Sequence, residues 1–225
     1  MVERVILSWS GGKDSAIAFK ELHRDRRYEI TSLLTTITEG YDRVSMHGVR
    51  VSVLEQQVRA LGIPLLKVCI PQRASNERYE SAMREVLTRA LADGVAGVAF
   101  GDVFLEDIRQ YREDKLSQLG MKAIFPIWKR NTQELAVSFI KDGFNAILTC
   151  VDSQRLDQSF VGRLFDESLL RDLPSSVDPS GENGEFHTFV CAGPIFSQSI
   201  PVRRGEIILR ENRFWYCDLI PDAGV

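Results

Sequence analysis

Residues 10–15 read Ser10-Gly11-Gly12-Lys13-Asp14-Ser15, between the apolar run Val5-Ile6-Leu7 and a helical pattern that begins with Ala16-Ile17-Ala18-Phe19. The residue types suit phosphate. Gly11 and Gly12 can take positive φ and let backbone N–H groups converge. Lys13 adds a mobile cation, Ser10 and Ser15 add hydroxyl donors, and a helix starting here adds amide donors and the positive end of its dipole. Asp14 is out of keeping, since a carboxylate repels phosphate; it fits if it orders the loop or faces a divalent metal. The spacing is neither GxxxxGK[ST], because Leu7 stands five before Gly12 and Asp14 follows Lys13, nor GxGxxG. The competing reading is a glycine turn with an ordinary Asp/Ser helix cap.

The elements around the loop give it a place. Strand-like apolar runs at 4–9, 29–37, 64–70, 94–101 and 121–128 alternate with helical patterns at 14–25, 51–61, 76–93 and 104–119. That alternation predicts an α/β fold built on a five-stranded parallel sheet with helices on both faces. Ligands of such sheets bind beyond the carboxyl ends of the strands, where the 10–15 loop follows the first strand. After Trp128 the pattern changes. A helix at 132–144 and a strand at 145–151 lead to a helix at 161–172 and short strands at 185–192 and 200–220. The expected organisation is an ATP-binding domain over 1–130 and a smaller C-terminal α+β domain over 131–225 for substrate recognition.

With 44 % hydrophobic residues the chain can bury a core, and a net charge of −3 argues against a general nucleic-acid binder. No apolar stretch approaches the roughly 20 residues of a membrane span, and the N-terminal apolar run is too short for a signal peptide; a soluble, cytoplasmic protein is expected. The four cysteines, Cys69, Cys150, Cys191 and Cys217, form no CxxC pair, which leaves a zinc ribbon or redox motif without support. Cys69 and Cys150 lie in apolar runs and are expected to be buried thiols.

The SGGKDS string in a strand–loop–helix setting resembles the PP-loop of N-type ATP pyrophosphatases, which cleave ATP between its α and β phosphates. Further stretches narrow the likeness: TTITEGYDRVSMHGVR (35–50), LGIPL (61–65), GDV (101–103), LGMKAIFPIW (119–128), LDQSFVGRLFDESLL (156–170) and GENGEFHTFV (181–190). In this order, over nearly the whole chain, they are similar to the diphthine–ammonia ligase family. The resemblance implies an adenine nucleotide alpha-hydrolase-like, HUP-type sheet. It also implies a ligase that uses ATP and Mg2+ to amidate a carboxyl with ammonia through an acyl-adenylate, releasing AMP and pyrophosphate. In the family the acceptor is diphthine on elongation factor 2, at the last step of diphthamide synthesis.

The resemblance also distributes roles. Ser10, Gly11, Gly12, Lys13, Asp14 and Ser15 would hold ATP, with Lys13 and Asp14 catalytic. Thr35 and Thr36 end the second strand near the expected adenine pocket, or simply fill a strand. His47, in SMHGV, contacts nucleotide or substrate, or is structural. Gly101 and Asp102 end the fourth strand; Asp102 binds magnesium, with Asp14, or substrate, or caps a helix. Arg109 and Arg112 share a helix face beside Glu113, for substrate or as a solvated ion-pair surface. Glu182 and Glu185, three apart among Gly181, Asn183 and Gly184, are the other two catalytic candidates, binding magnesium or positioning ammonium, with Asn183, Gly184 and His187 on the substrate; the competing reading is a plain turn.

The match departs at His187, where many family members carry a glutamate, and at Gly193 before Pro194. His187 removes a negative charge near the expected acceptor site and is either a base for ammonium or a packing change. If the source is a bacterium, which makes no diphthamide, the acceptor is another carboxylate. No glutaminase domain fits in 225 residues, so ammonia arrives free or from a partner protein. A homodimer is left open. Two other readings stand beside the ligase: another PP-loop enzyme acting on tRNA or a small molecule, and a non-catalytic ATP- or AMP-binding sensor.

Overall fold

A computed structural model describes residues 2–40, 43–44 and 48–222. The chain divides into two compact units that are not contiguous in sequence. The first holds Met1–Ser10, Asp14–Ser45 and Gly62–Lys129; the second holds Gly11–Lys13, Met46–Leu61 and Arg130–Val225.

The first unit is built on the expected parallel sheet. Strands β1 (Glu3–Ser8), β2 (Tyr28–Thr38), β4 (Leu65–Ile70), β5 (Gly97–Ala99) and β6 (Lys122–Ile124) run parallel, in the order β4-β2-β1-β5-β6. A two-residue strand, β3 (Arg43–Val44), adds an antiparallel pairing to the end of β2. Helices α1 (Lys13–Arg24), α3 (Asn76–Ala92) and α4 (Glu106–Ser117) connect the strands. One face of the sheet packs Ile6, Leu34, Val68, Val98 and Phe100 against Leu87 and Ala90 of α3 and Leu116 of α4. Val5, Leu7 and Leu33 point the other way by the period-two rule and are also buried. On α1, Ser15, Ala16, Ile17, Ala18, Phe19 and Leu22 are buried, and Phe19 meets Trp9 edge-on at 6.2 Å.

Cys69 departs from expectation. It lies on β4, an edge strand among the described residues, where it shares an exposed face with Lys67 while Leu66, Val68 and Ile70 turn to the core. Cys150 is buried as expected, and burial pushes its thiol up to about 11.

The second unit holds α2 (Val51–Leu61), α5 (Thr132–Lys141) and a four-stranded antiparallel sheet. Its strands β7 (Asn145–Asp152), β8 (Phe186–Ala192), β9 (Val202–Arg210) and β10 (Phe214–Pro221) are ordered β8-β7-β10-β9. Phe139 of α5 stacks on Phe144 at 4.8 Å and meets Phe165 edge-on at 5.6 Å, and Phe165 lies 6.1 Å from Phe186. On α2, Val51, Val53, Leu54 and Ala60 are buried, and Arg50 at its head pairs with Asp218 of β10 at 2.5 Å.

The helix expected over 161–172 is only α6 (Glu167–Asp172), with Asp166 as its N-cap. Gly162 takes φ +81, and residues 162–165 run extended beside β7, where Gly162 N–H donates to Leu148 O and Phe165 N–H to Ala146 O. The apolar spacing of Val161, Leu164 and Phe165 imitates a helical stripe, while a left-handed glycine starts a strand-like segment. No helix among the described residues is long and apolar enough to cross a membrane.

Candidate functional site

In the second unit the glycine loop lies along β8. Gly11 has φ +82, and its carbonyl accepts the Val190 N–H at 2.9 Å. The Gln57 amide on α2, fully buried, donates from Nε2 to Gly11 O at 3.0 Å and to Val190 O at 2.6 Å. A side chain at Gly11 would place its Cβ 2.7 Å from Gln57 Oε1 and 3.1 Å from Leu54 Cδ1. Gly12 is not among the positive-φ glycines, so only Gly11 uses the freedom expected of both.

Two residues on, the Lys13 N–H donates to the buried Thr188 hydroxyl at 3.0 Å. Lys13 is 3 % exposed; its Nζ lies 3.4 Å from Glu182 Oε1 and 5.8 Å from the centre of the Phe186 ring. A nearly buried ammonium needs a carboxylate beside it to remain charged, and Glu182 supplies one. The structure thus brings together Lys13 and Glu182, more than 160 residues apart in sequence.

Glu182 is held by its own loop. Asp178 Oδ1 accepts the Ser180 N–H at 2.8 Å and the Glu182 N–H at 3.3 Å, and Asp178 Oδ2 accepts the Thr132 hydroxyl at 2.7 Å. Glu185, buried, accepts the Asp178 N–H at 3.0 Å, the Asn183 N–H at 2.9 Å and the Asn183 Nδ2 at 3.1 Å. Both Glu185 oxygens therefore face the loop backbone, and Asn183 braces the same carboxylate. Gly184 takes φ +80, as the turn requires. His187 is half-buried on β8 opposite Cys150, and its carbonyl accepts the Thr149 hydroxyl at 3.4 Å.

In the first unit, Ser10 Oγ and Ser15 Oγ stand 3.4 Å apart, and Asp14 is half-buried on the first turn of α1. Gly101 is a close-approach glycine, since a Cβ there would lie 2.9 Å from the Asp14 carbonyl. Asp102 lies 2.8 Å from Arg112 Nε and accepts from Arg112 Nη2 at 3.2 Å, while the Arg112 guanidinium covers the Phe100 ring at 4.1 Å. Arg109 pairs with Glu113 at 2.7 Å and lies over Trp128 at 4.8 Å and Phe125 at 5.0 Å. The two arginines, three apart on one helix, therefore serve different partners. The Thr35 hydroxyl donates to Trp9 O at 2.5 Å, which ties β2 to the end of β1, and Thr36 is half-buried beside it. His47 lies outside the described residues.

Among the described residues no group of three or more His, Cys, Asp or Glu side chains converges as a metal site. Sequence reasoning missed Gln57, Thr132, Thr188 and Asp178. Thr188 lies within GENGEFHTFV, where nothing in its type or spacing sets it apart. Gln57 occupies an apolar position of α2, and a polar residue there is the signal that could have found it.

Two family models match the chain, one described as the diphthamide synthase N-terminal domain over residues 3–123 and one as the diphthamide synthase C-terminal domain over 131–219. The diphthine–ammonia ligase of Schizosaccharomyces pombe is 24 % identical over 219 residues, covering 88 % of this chain and 36 % of that protein. Those of Bos taurus and Homo sapiens are 28 % identical over 119 and 121 residues, each covering 51 % of this chain and 45 % of the relative. The chain thus matches less than half the length of each of these relatives. Among solved structures, a predicted subunit of tRNA methyltransferase from Methanocaldococcus jannaschii aligns with a TM-score of 0.45 at 16 % identity, covering 85 % of this chain and 98 % of that one. The U34-tRNA thiolase NcsA from Methanococcus maripaludis aligns with a TM-score of 0.38 at 15 % identity, covering 61 % and 56 %.

Proposed function

Because the chain belongs to the diphthamide synthase family, we propose that it is an ATP-dependent ligase that joins ammonia to a carboxyl group, releasing AMP and pyrophosphate. The proposed route is an acyl-adenylate, and the proposed acceptor, where the source makes it, is diphthine on elongation factor 2. The observation that carries this reading is the Lys13–Glu182 pair: a buried cation at the head of α1, beside a carboxylate delivered by the acidic turn.

Each residue then has a physical task. The hydroxyls of Ser10 and Ser15 and the first-turn amides of α1 would hold the phosphates of ATP, and Lys13 would neutralise charge gathering on the departing pyrophosphate. Asp14 and Asp102 would hold Mg2+ together with phosphate oxygens, the ion supplying further charge neutralisation. A carboxylate resists ammonia because its leaving group is oxide; with AMP as leaving group the same carbon is reactive, and water must be kept from it. Glu182 orients the Lys13 ammonium and offers a second anionic face on which ammonium can be held. Glu185 and Asp178 act at one remove, as positioning residues that fix Glu182.

The test is product analysis of the purified chain with ATP, Mg2+ and ammonium, with and without a cell extract freed of small molecules. AMP and pyrophosphate formed only with extract are the expected products, and Asp14→Asn should abolish them while leaving the melting temperature unchanged. ADP and phosphate, or unchanged turnover in Asp14→Asn, would overturn the assignment.

A further inference from the structure

The antiparallel sheet of the second unit has two unlike edges. At β8 the outer edge is closed: Val190 N–H donates to Gly11 O, and Val190 O accepts from Gln57. At the other end β9 finishes the order β8-β7-β10-β9, and no described strand pairs with its outer side. A nine-residue edge is a template for another strand, and folded proteins blunt such edges with charge or bulges. β9 is blunted over one half only. Arg203 and Arg204 are exposed there, and the register against β10 slips between Arg204 and Ile207. The other half, Glu206-Ile207-Ile208-Leu209-Arg210, pairs regularly with β10 from Ile207 onward, yet Ile207 and Leu209 are 40 % and 43 % exposed.

These five residues are complementary to themselves when read antiparallel. A twofold axis through Ile208 sets Glu206 against Arg210 of a second copy, twice. It sets Ile207 against Leu209, twice, and Ile208 against itself. Alternation places Glu206, Ile208 and Arg210 on the face where Arg210 lies over Tyr216 at 5.7 Å. It places Ile207 and Leu209 on the opposite face, in register with Cys217 and Trp215 of β10. Moving the axis one residue back, to Ile207, would set Arg204 against Arg210 and lose both ion pairs, so the charges select the register as well as the partner.

We propose that the chain forms a twofold-symmetric dimer in which β9 pairs antiparallel with β9 of a second copy across Ile208, merging two four-stranded sheets into one continuous sheet. The pairing closes the free edge and brings the exposed Ile207 of each copy beside Leu209 of the other. It does not depend on the proposed reaction.

Sedimentation velocity across a concentration series tests this on the full chain, on Glu206→Arg, on Arg210→Glu, on the double variant, and on an equimolar mixture of the two single variants. The wild type should sediment as a dimer. Each single reversal turns two attractive cross-strand pairs into two repulsive ones and should weaken self-association by about tenfold or more. The double variant should recover the dimer, and the mixture should form a heterodimer more tightly than either single variant self-associates. Circular dichroism melts should show every variant folded. A wild type that stays monomeric, a dimer unmoved by either reversal, or a double variant that stays monomeric would each overturn the proposal.

Discussion

Gln57 offers the sharpest test of how the glycine loop is held. Its carboxamide is fully buried and donates to two carbonyl oxygens, Gly11 O at 3.0 Å and Val190 O at 2.6 Å. Gln57→Leu keeps the bulk and removes both donors. Gly11 O retains the Val190 N–H, whereas Val190 O loses its amide donor. Two net hydrogen bonds and one poorly satisfied buried acceptor come to about 2–4 kcal/mol. At about 2–4 °C per kcal/mol for a chain of this size, the melting temperature should fall by roughly 5–15 °C. Gln57→Glu separates geometry from bulk. A carboxylate there would face two carbonyl oxygens, so the folded protein keeps this group protonated and its pKa rises above the ordinary value of about 4.3. A raised folded pKa means the stabilisation is present below the unfolded value and lost as pH rises through the folded one. A protonated carboxyl donates to only one of the two carbonyls, so Gln57→Glu should melt between the wild type and Gln57→Leu at pH 4 and progressively lower towards pH 7, while the Gln57→Leu deficit stays constant. Calorimetric melts from pH 4 to 8 measure both. A Gln57→Glu deficit that does not grow with pH, or a Gln57→Leu melt within 1 °C of wild type, would refute the proposed lock.

Asp178→Ala strips the acceptor from the Ser180 and Glu182 amides and from the Thr132 hydroxyl. AMP formation should fall by about tenfold, through kcat more than through KM, because the loss is in the placing of Glu182; steady-state kinetics with a parallel melt distinguish this from general unfolding. Asp152 is buried and pairs with Arg213 at 2.6 Å, which holds its carboxyl below the usual carboxylate range. A depressed folded pKa gives stability that is present above the unfolded value, about 3.9, and lost as pH falls through the folded one. Asp152→Asn should thus melt several degrees low at pH 7 and approach the wild type below pH 3, as followed by circular dichroism.

The parallel sheet was legible because its strands are buried on both faces and read as unbroken apolar runs, as in Val5-Ile6-Leu7 and Val98-Ala99-Phe100. Edge positions were less legible. Cys69 sits in a run as apolar as its neighbours, but among the described residues β4 has a strand on one side only, and Lys67 and Cys69 face out. Gly162 was hidden for a different reason, since Val161, Leu164 and Phe165 satisfy helical spacing while the backbone at Gly162 is left-handed. The ends of the acidic turn could be read from glycine and asparagine chemistry, yet the direction of Glu185 could not. Its spacing from Glu182 suits a shared ligand, whereas its oxygens are taken by Asp178 and Asn183. Which carboxylate faces a ligand and which holds the loop depends on contacts with Asp178, outside the turn itself.

The same distinction applies to the loop at 10–15. Glycine, lysine and serine there announce phosphate chemistry, and Gly11 does have the expected positive φ. The immediate constraint, however, is packing, because a Cβ at Gly11 would meet Gln57 and Leu54 within 3.1 Å. Residues 11 to 13 run against residues 190 to 188 of β8. Gly11 O meets Val190 N–H, Lys13 N–H meets the Thr188 hydroxyl, and the Lys13 side chain continues past Phe186 to Glu182. These contacts fix the loop's backbone and the Lys13 side chain against β8. That order is also what carries the acidic turn to Lys13: each two-residue step along β8 fixes the next contact, so a slip in the Gly11–Val190 pairing would withdraw Glu182 from the ammonium. The Gln57 amide, bonded to both members of that pairing, is the group that sets the register.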